Sequence, residues 1–302
     1  MSLQFLADGV LQGALIGLGA IGITLTYAIL RFSNFAHGDL MAWGAYAAMA
    51  IAAALGQVAG GTGAVFGLSF GWPLLLAGVV AAALTAGLAL VLDAAVFARL
   101  RARGQGIVVV MASFGASMAL RSLLEFVFTS QPRYFSRAIQ IAKPIGAGIR
   151  VTPDQVALLV MTAALVTGTH LFLQRSRTGR EMRAMSQNPA LARVVGIDTG
   201  RIVRATWIIG ASLAAAAGIM VGVLVQLRPL MGMELLLPMF AAAILGGIGS
   251  VPGAALAGLI IGISEAAAVL FIGAEWRAAV SFVVLIAVLL VRPQGLFGVA
   301  ER

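Results

Sequence analysis

The sequence predicts an all-α polytopic membrane protein with about eight or nine transmembrane helices, some of them broken or re-entrant. Three observations carry that expectation. Hydrophobic residues fill 61% of the 302 positions and charged ones only 10%, whereas a soluble domain is usually about a quarter charged. The mean hydropathy is +1.03. The apolar residues also gather into windows of about 20, the length of one bilayer crossing. The whole chain, 1–302, therefore reads as one membrane domain, for which length divided by a typical domain size misleads.

Taken in order, the windows fall at about 7–30, 39–56, 73–92, 106–129, 153–174, 203–226, 235–249, 252–273 and 276–292, with ends good to a few residues. Met1–Asp8 has no basic segment ahead of the first window, which therefore reads as a retained span rather than a cleaved signal. The seventh window is short for a crossing and reads as a half-helix or re-entrant segment. Glycine is abundant, at 37 residues. Gly13, Gly17, Gly19 and Gly22 crowd the first window, and Gly246, Gly247, Gly249, Gly253, Gly258 and Gly262 mark the last third. Small residues let helix backbones approach in lipid, where packing drives association. Two windows break in a similar style, at Leu30–Leu40 and at Leu245–Gly253. Paired breaks in the two halves of a chain hint at an internal repeat, and transporters place broken helices beside the transport path.

Charge sets the expected orientation. The formal net charge is +9, nearly all of it arginine, since Lys143 is the sole lysine. Arg99, Arg101 and Arg103 follow the third window, an arginine cluster at 175–204 follows the fifth, and Arg292 follows the last. With nine crossings all three fall on one side, which the positive-inside rule makes cytoplasmic. The loop 130–152 conflicts with this, because it holds Arg133, Arg137, Lys143 and Arg150 yet counts as outside. Basic residues in such connections orient a membrane protein and do not indicate nucleic-acid binding. The absence of cysteine excludes disulfides and thiolate metal sites.

The cluster at 175–204 is the densest signal. It carries Arg175, Arg177, Arg180, Arg183, Arg193, Arg201 and Arg204 against Glu181 and Asp198. Within it, Asn188 to Gly196 reads as a two-turn helix. Asn188 can cap it, Pro189 suits its first position and Gly196 suits the left-handed position after its end. A capped, basic, part-apolar helix between two spans is suited to docking a cytoplasmic partner.

Other polar residues stand out against the apolar background. Asn34, His37 and Asp39 occupy the first break, where freed backbone groups need partners because lipid supplies none. They read either as groups that satisfy that backbone near the interface or as part of a gate. Arg121 and Glu125 lie one helical turn apart, which suggests a local ion pair. Gln226 ends the sixth window, followed by Arg228 and Glu234. Glu265 sits mid-window with no basic residue in that window, so it should face protein or a water-filled cavity. It reads as a structural hydrogen-bond partner or as a pathway residue. His170 reads as interfacial. No GxxxxGK[ST] phosphate loop is present, so an ATP-driven process would need another subunit. No HExxH or GxSxG pattern supports an intramembrane hydrolase.

Four blocks together resemble one family. Thr24 to Tyr46, with its core Asn34-Phe-Ala-His-Gly-Asp39, is similar to the early signature of the permeases of branched-chain amino-acid ABC importers. Arg183 to Asp198 is similar to that family's cytoplasmic loop. Ala243 to Ala254 and the terminal Arg292-Pro-Gln-Gly-Leu-Phe-Gly298 match as well, in the same order. The Asn34–Asp39 form resembles the shorter of the two permeases in such systems.

The resemblance implies a bacterial or archaeal inner membrane and a fold like that of vitamin-B12 importers, with inverted repeats. It also implies a heterodimer with a paralogous permease, two cytoplasmic ATPase subunits and a periplasmic binding protein. ATP and Mg would sit on the ATPase subunits, and this chain would bind no cofactor. The family places a coupling helix in the capped loop. Carried over, Gln187, Asn188, Pro189, Leu191 and Gly196 would enter an ATPase groove, with Arg183 and Arg193 facing its acidic walls. Branched-chain amino acids are the default solute by that likeness. Urea, short amides, aromatic acids and other amino acids stay open, as does a stand-alone carrier or channel.

Overall fold

A computed structural model describes residues 3–58, 68–104, 106–136, 140–146, 148–292 and 294–297. Among them, seven helices are long and apolar enough to cross a membrane, and two further apolar helices are shorter. The nine windows read from the sequence correspond to these nine helices. They are α1 (Gln4–Leu30), α2 (His37–Val58), α3 (Trp72–Leu92), α5 (Gly106–Phe128), α6 (Pro153–Arg175), α9 (Thr199–Leu224), α10 (Met231–Gly246), α11 (Val251–Phe271) and α12 (Arg277–Val291). The expected short seventh window is α10, at 16 residues.

Among the boundaries that differ from expectation, two have clear local reasons. The third helix does not stop at Leu92: it runs on through a π-helical turn, Asp93–Phe97, into α4 (Ala98–Arg101). No glycine or proline interrupts it before Gly104, and Asp93 pairs with Arg101 at 2.6 Å across that turn. α10 starts four residues early because Glu234 lies in its first turn, paired with Arg228 at 3.0 Å. The stretch 130–152 is not wholly irregular. It holds an antiparallel pair, β1 (Lys143–Gly146) and β2 (Ile149–Val151).

α1 is the centre of the bundle, with nearly all of its second half buried. Its glycines explain why. A Cβ at Gly13 would stand 2.7 Å from the Gly258 carbonyl oxygen, and one at Gly9 would stand 2.8 Å from the Ile263 Cα. α1 and α11 thus touch backbone to backbone through small residues four apart, the arrangement that maximises packing where water contributes no driving force.

The connections sort into two ends. At one end Gln4 and Arg150 exchange hydrogen bonds of 2.8 and 3.1 Å, and Arg133 pairs with Leu227 through backbone bonds. At the other end Arg31 donates to the Ser186 carbonyl, and Leu296 donates to the Leu245 carbonyl at 2.7 Å. The two basic segments, 130–152 and 175–204, therefore occupy opposite ends, as the count of nine crossings requires, so one basic connection lies on each side. Arg137 lies outside the described residues.

Candidate functional site

The polar residues singled out in the sequence gather in three separate places. The first is the break between α1 and α2. Arg31 leaves α1 in the left-handed region at φ 58°, and the chain then turns back along the bundle. The His37 ring packs against Gly22, which lies eight residues, or about 12 Å, before the end of α1. Asn34, His37 and Asp39 are each no more than 2% exposed. The break is therefore inside the protein. Its backbone is satisfied locally: the Asn34 side chain accepts from Ala36 N–H at 3.1 Å, and the Ser113 hydroxyl of α5 accepts from Phe35 N–H at 3.1 Å.

Asp39 settles the question of Arg121. The guanidinium does not pair with Glu125 one turn away. It reaches Asp39, with Nε 3.2 Å from Oδ1, while Ser117 donates to the other carboxylate oxygen. A local spacing rule offered Glu125, but a buried carboxylate without another cation outbids an exposed one. Ser113, Ser117 and Arg121 recur every four residues on α5, and this polar stripe holds the helix to the break. That periodicity is the signal that sequence reading could have used.

The second place is a cavity of about 350 Å³ at the end that carries Gln4 and Arg150. It brings Gln226 and Glu265 together, with Gln12, Arg228 and Arg277. Glu265 is fully buried. It accepts from Gln12 Nε2 at 3.1 Å and from the Ser281 hydroxyl, and Arg277 Nε stands 3.6 Å away. Its window holds no base, so the cation comes from the next helix. Gln226 accepts from the Tyr134 hydroxyl at 3.0 Å. Neither residue meets Asn34, His37 or Asp39 in this cavity. α10 joins the two places: Met231 lines the cavity, Gly232 backs directly onto Gly38, and the Phe240 ring lies 5.3 Å from that of Phe35.

The third place is the arginine-rich connection. α7 (Arg177–Gln187) buries Met182 and Met185 against the bundle and is capped by Ser176. α8 (Pro189–Val194) follows at once. Asn188 accepts from Leu191 N–H at 3.0 Å, and Pro189 takes the first helical position, as the sequence indicated. After the helix, Gly196 adopts φ 82°. Gly196 N–H donates to the Arg193 carbonyl and Ile197 N–H to the Ala192 carbonyl, which is a Schellman closure. Ala192 alone of the helix is buried. Leu191 is 58%, Val194 82% and Val195 65% exposed. Gln187, Asn188 and Arg193 are exposed beside them. Arg183 instead lies along the root of the arm, lining a small cavity with His170 and Gln174, and His170 bonds Gln174 at 2.9 Å.

A family model described as "Branched-chain amino acid transport system / permease component" matches residues 5–289. The chain belongs to that family. The permease protein LivH of the high-affinity branched-chain amino acid transport system of Escherichia coli (strain K12) is 33% identical over 305 residues, 99% of this chain and 96% of that one. The BraD permease protein of Pseudomonas aeruginosa is 31% identical over 306 residues, with the same two shares. A probable LivH of Methanocaldococcus jannaschii is 26% identical over 310 residues, covering 98% and 92%. Among solved structures, PsaBC from Streptococcus pneumoniae in complex with Fab overlays with a TM-score of 0.49 and 14% identity, covering 96% of this chain and 92% of that one. That overlay is too loose to carry an argument.

As a correction to the sequence reading, residues 67–71 do spell GxSxG, the letters of a hydrolase nucleophile. Its serine is otherwise engaged. Ser69 donates its hydroxyl to Asp154, and its N–H donates to the same carboxylate at 2.9 Å. Asp154 opens α6, whereas His170 lies sixteen residues, about 24 Å, further along that helix. Ser69 ties the start of α3 to α6, and its partner is the Asp154 carboxylate rather than a histidine.

Proposed function

We propose that this chain is a membrane-spanning permease subunit of an ATP-binding-cassette importer for branched-chain or related amino acids. In this reading a periplasmic binding protein delivers the solute, and two cytoplasmic ATPase subunits hold ATP and Mg and supply the work. A paralogous permease completes the membrane pair. The chain spans a bacterial or archaeal inner membrane many times, with the 175–204 connection and the C-terminus in the cytoplasm. Family membership and the near full-length match to permease proteins support the transport role.

The observation that carries the coupling role is the geometry of α8. A helix closed at both ends presents Leu191, Val194 and Val195 outward at the arginine-rich end of the bundle. Exposed apolar side chains framed by Arg193 and Gln187 suit insertion into a groove with acidic walls. Gln187, Asn188, Pro189, Leu191, Arg193 and Gly196 would form the inserted tip. Arg183, at the root, would hold the arm to the bundle and pass its movement to α6. Closure of the ATPases would push this arm and switch the permease pair between outward- and inward-facing states.

The test is reconstitution. The chain alone in proteoliposomes should pass no leucine down a gradient, while the complete importer with its binding protein and ATP should accumulate it. Uptake by the chain alone would overturn the reading in favour of a stand-alone carrier or channel. Accumulation of urea, an amide or an aromatic acid in place of leucine would keep the importer and change the solute.

A further inference from the structure

The cavity around Glu265 has a chemistry that packing alone does not require. Its floor is a fully buried carboxylate, its walls carry Arg277, Arg228, Glu234 and Glu275, and between them lie Leu15, Val221 and Pro238. Both charge signs therefore face one apolar space. At about 350 Å³ the space lies near the low end of the roughly 300–1,000 Å³ typical of small-molecule sites.

Two details point to a ligand rather than to a closed structural network. The Glu265–Arg277 separation is 3.6 Å, beyond hydrogen-bonding distance, and the Arg277 side chain is 48% exposed. A half-exposed base stands beside a buried acid. Arg228 reaches Glu234 through Nη2 at 3.0 Å, but its Nε is buried without a hydrogen-bond partner among the described residues. An unpaired buried donor is costly unless something fills the place.

We propose that this cavity is a transient binding site for a zwitterionic α-amino acid with an apolar side chain. Glu265 receives the ammonium group in place of Arg277. Arg277, so released, and Arg228 take the carboxylate, and the side chain lies against Leu15, Val221 and Pro238. A lone cation or a lone anion would leave one charge set unmatched, so the site favours molecules that carry both. This rests on the amino-acid importer reading and deepens it by giving the permease a site of its own at the end opposite the arginine-rich arm.

The test is equilibrium binding of radiolabelled L-leucine to the permease pair with its ATPases in nanodiscs, without the binding protein. Saturable binding is expected. Glu265→Gln and Arg277→Gln should each weaken it at least about tenfold, as loss of a charged hydrogen bond does. 4-Methylpentanoate and 3-methylbutylamine, each lacking one charge, should compete at least about tenfold more weakly than leucine. Arg277 is half exposed, so its variant keeps the test valid if the Glu265 variant fails to fold. No saturable binding, or binding unchanged in Arg277→Gln, overturns the proposal. ATP-driven uptake measured on the same preparation separates the two readings. Leucine uptake without such binding sinks the site and leaves the importer, whereas charge-dependent leucine binding without leucine uptake supports the site and sinks the reading of leucine as the imported solute.

Discussion

Arg121 and Asp39 place opposite charges inside a bundle whose surroundings are apolar, and the side chains are 19% and 2% exposed. A pair so placed contributes little net stability, but breaking it leaves one charge buried and unmatched, at about 3–5 kcal/mol. Arg121→Ala should therefore lower the thermal unfolding midpoint in detergent more than the double variant Arg121→Met with Asp39→Leu. Equal losses would show that the charges do not depend on each other. The partners lie 82 residues apart, which is why sequence reasoning chose Glu125. Spacing rules see only neighbours on one helix, whereas charge pairing across helices is decided by tertiary approach. The same limit hid Gln12, Ser281 and Arg277 as the partners of Glu265. What the sequence did reveal was that Glu265 had to face protein or a cavity, because an isolated carboxylate in an apolar window is too costly to leave alone.

Elements with local causes were the most legible. Asn188, Pro189 and Gly196 supply a cap, a fixed φ and a left-handed closure within nine residues, and the structure uses all three. The nine windows likewise became nine helices, because a run of apolar residues needs no distant contact to be recognised. The course of the break was less legible. Residues 31–36 fold back along α1 because Gly22 admits the His37 ring and Ser113 satisfies the freed backbone, and neither is a neighbour in sequence. The glycine seam between α1 and α11 also joins the two ends of the chain. Gly13→Leu should force that seam apart, since even a Cβ there meets backbone atoms at 2.7 Å. Folded, monodisperse protein should be largely lost on size-exclusion chromatography. Leucine at Gly87, where an added Cβ meets nothing within 4 Å, should be tolerated. Equal tolerance at both positions would argue against the seam.

At the scale of the whole molecule, the polar features divide between the two ends, with the buried break between them. The amino-acid-sized cavity lies at one end and the arginine-rich arm at the other. α10 runs from the cavity past the break to the far end, where its last residues receive the C-terminal turn. Pro238 interrupts its hydrogen-bond ladder, and a helix so interrupted bends more readily than an intact one. A push on α8 would pass through α7, whose buried methionines share a core with α1 and α10, and so reach both the break and the cavity wall. The central claim is that α8 receives the force of ATP hydrolysis. ATP hydrolysis and leucine uptake by the complete reconstituted importer test it most directly when Leu191→Asp and Val194→Asp are combined. Both side chains are exposed in the isolated chain, so folding should survive. The account predicts that uptake falls at least about tenfold, the loss expected when two apolar anchors of a docked helix become charged, while the protein remains folded. Uptake at the level of the unaltered importer would contradict it.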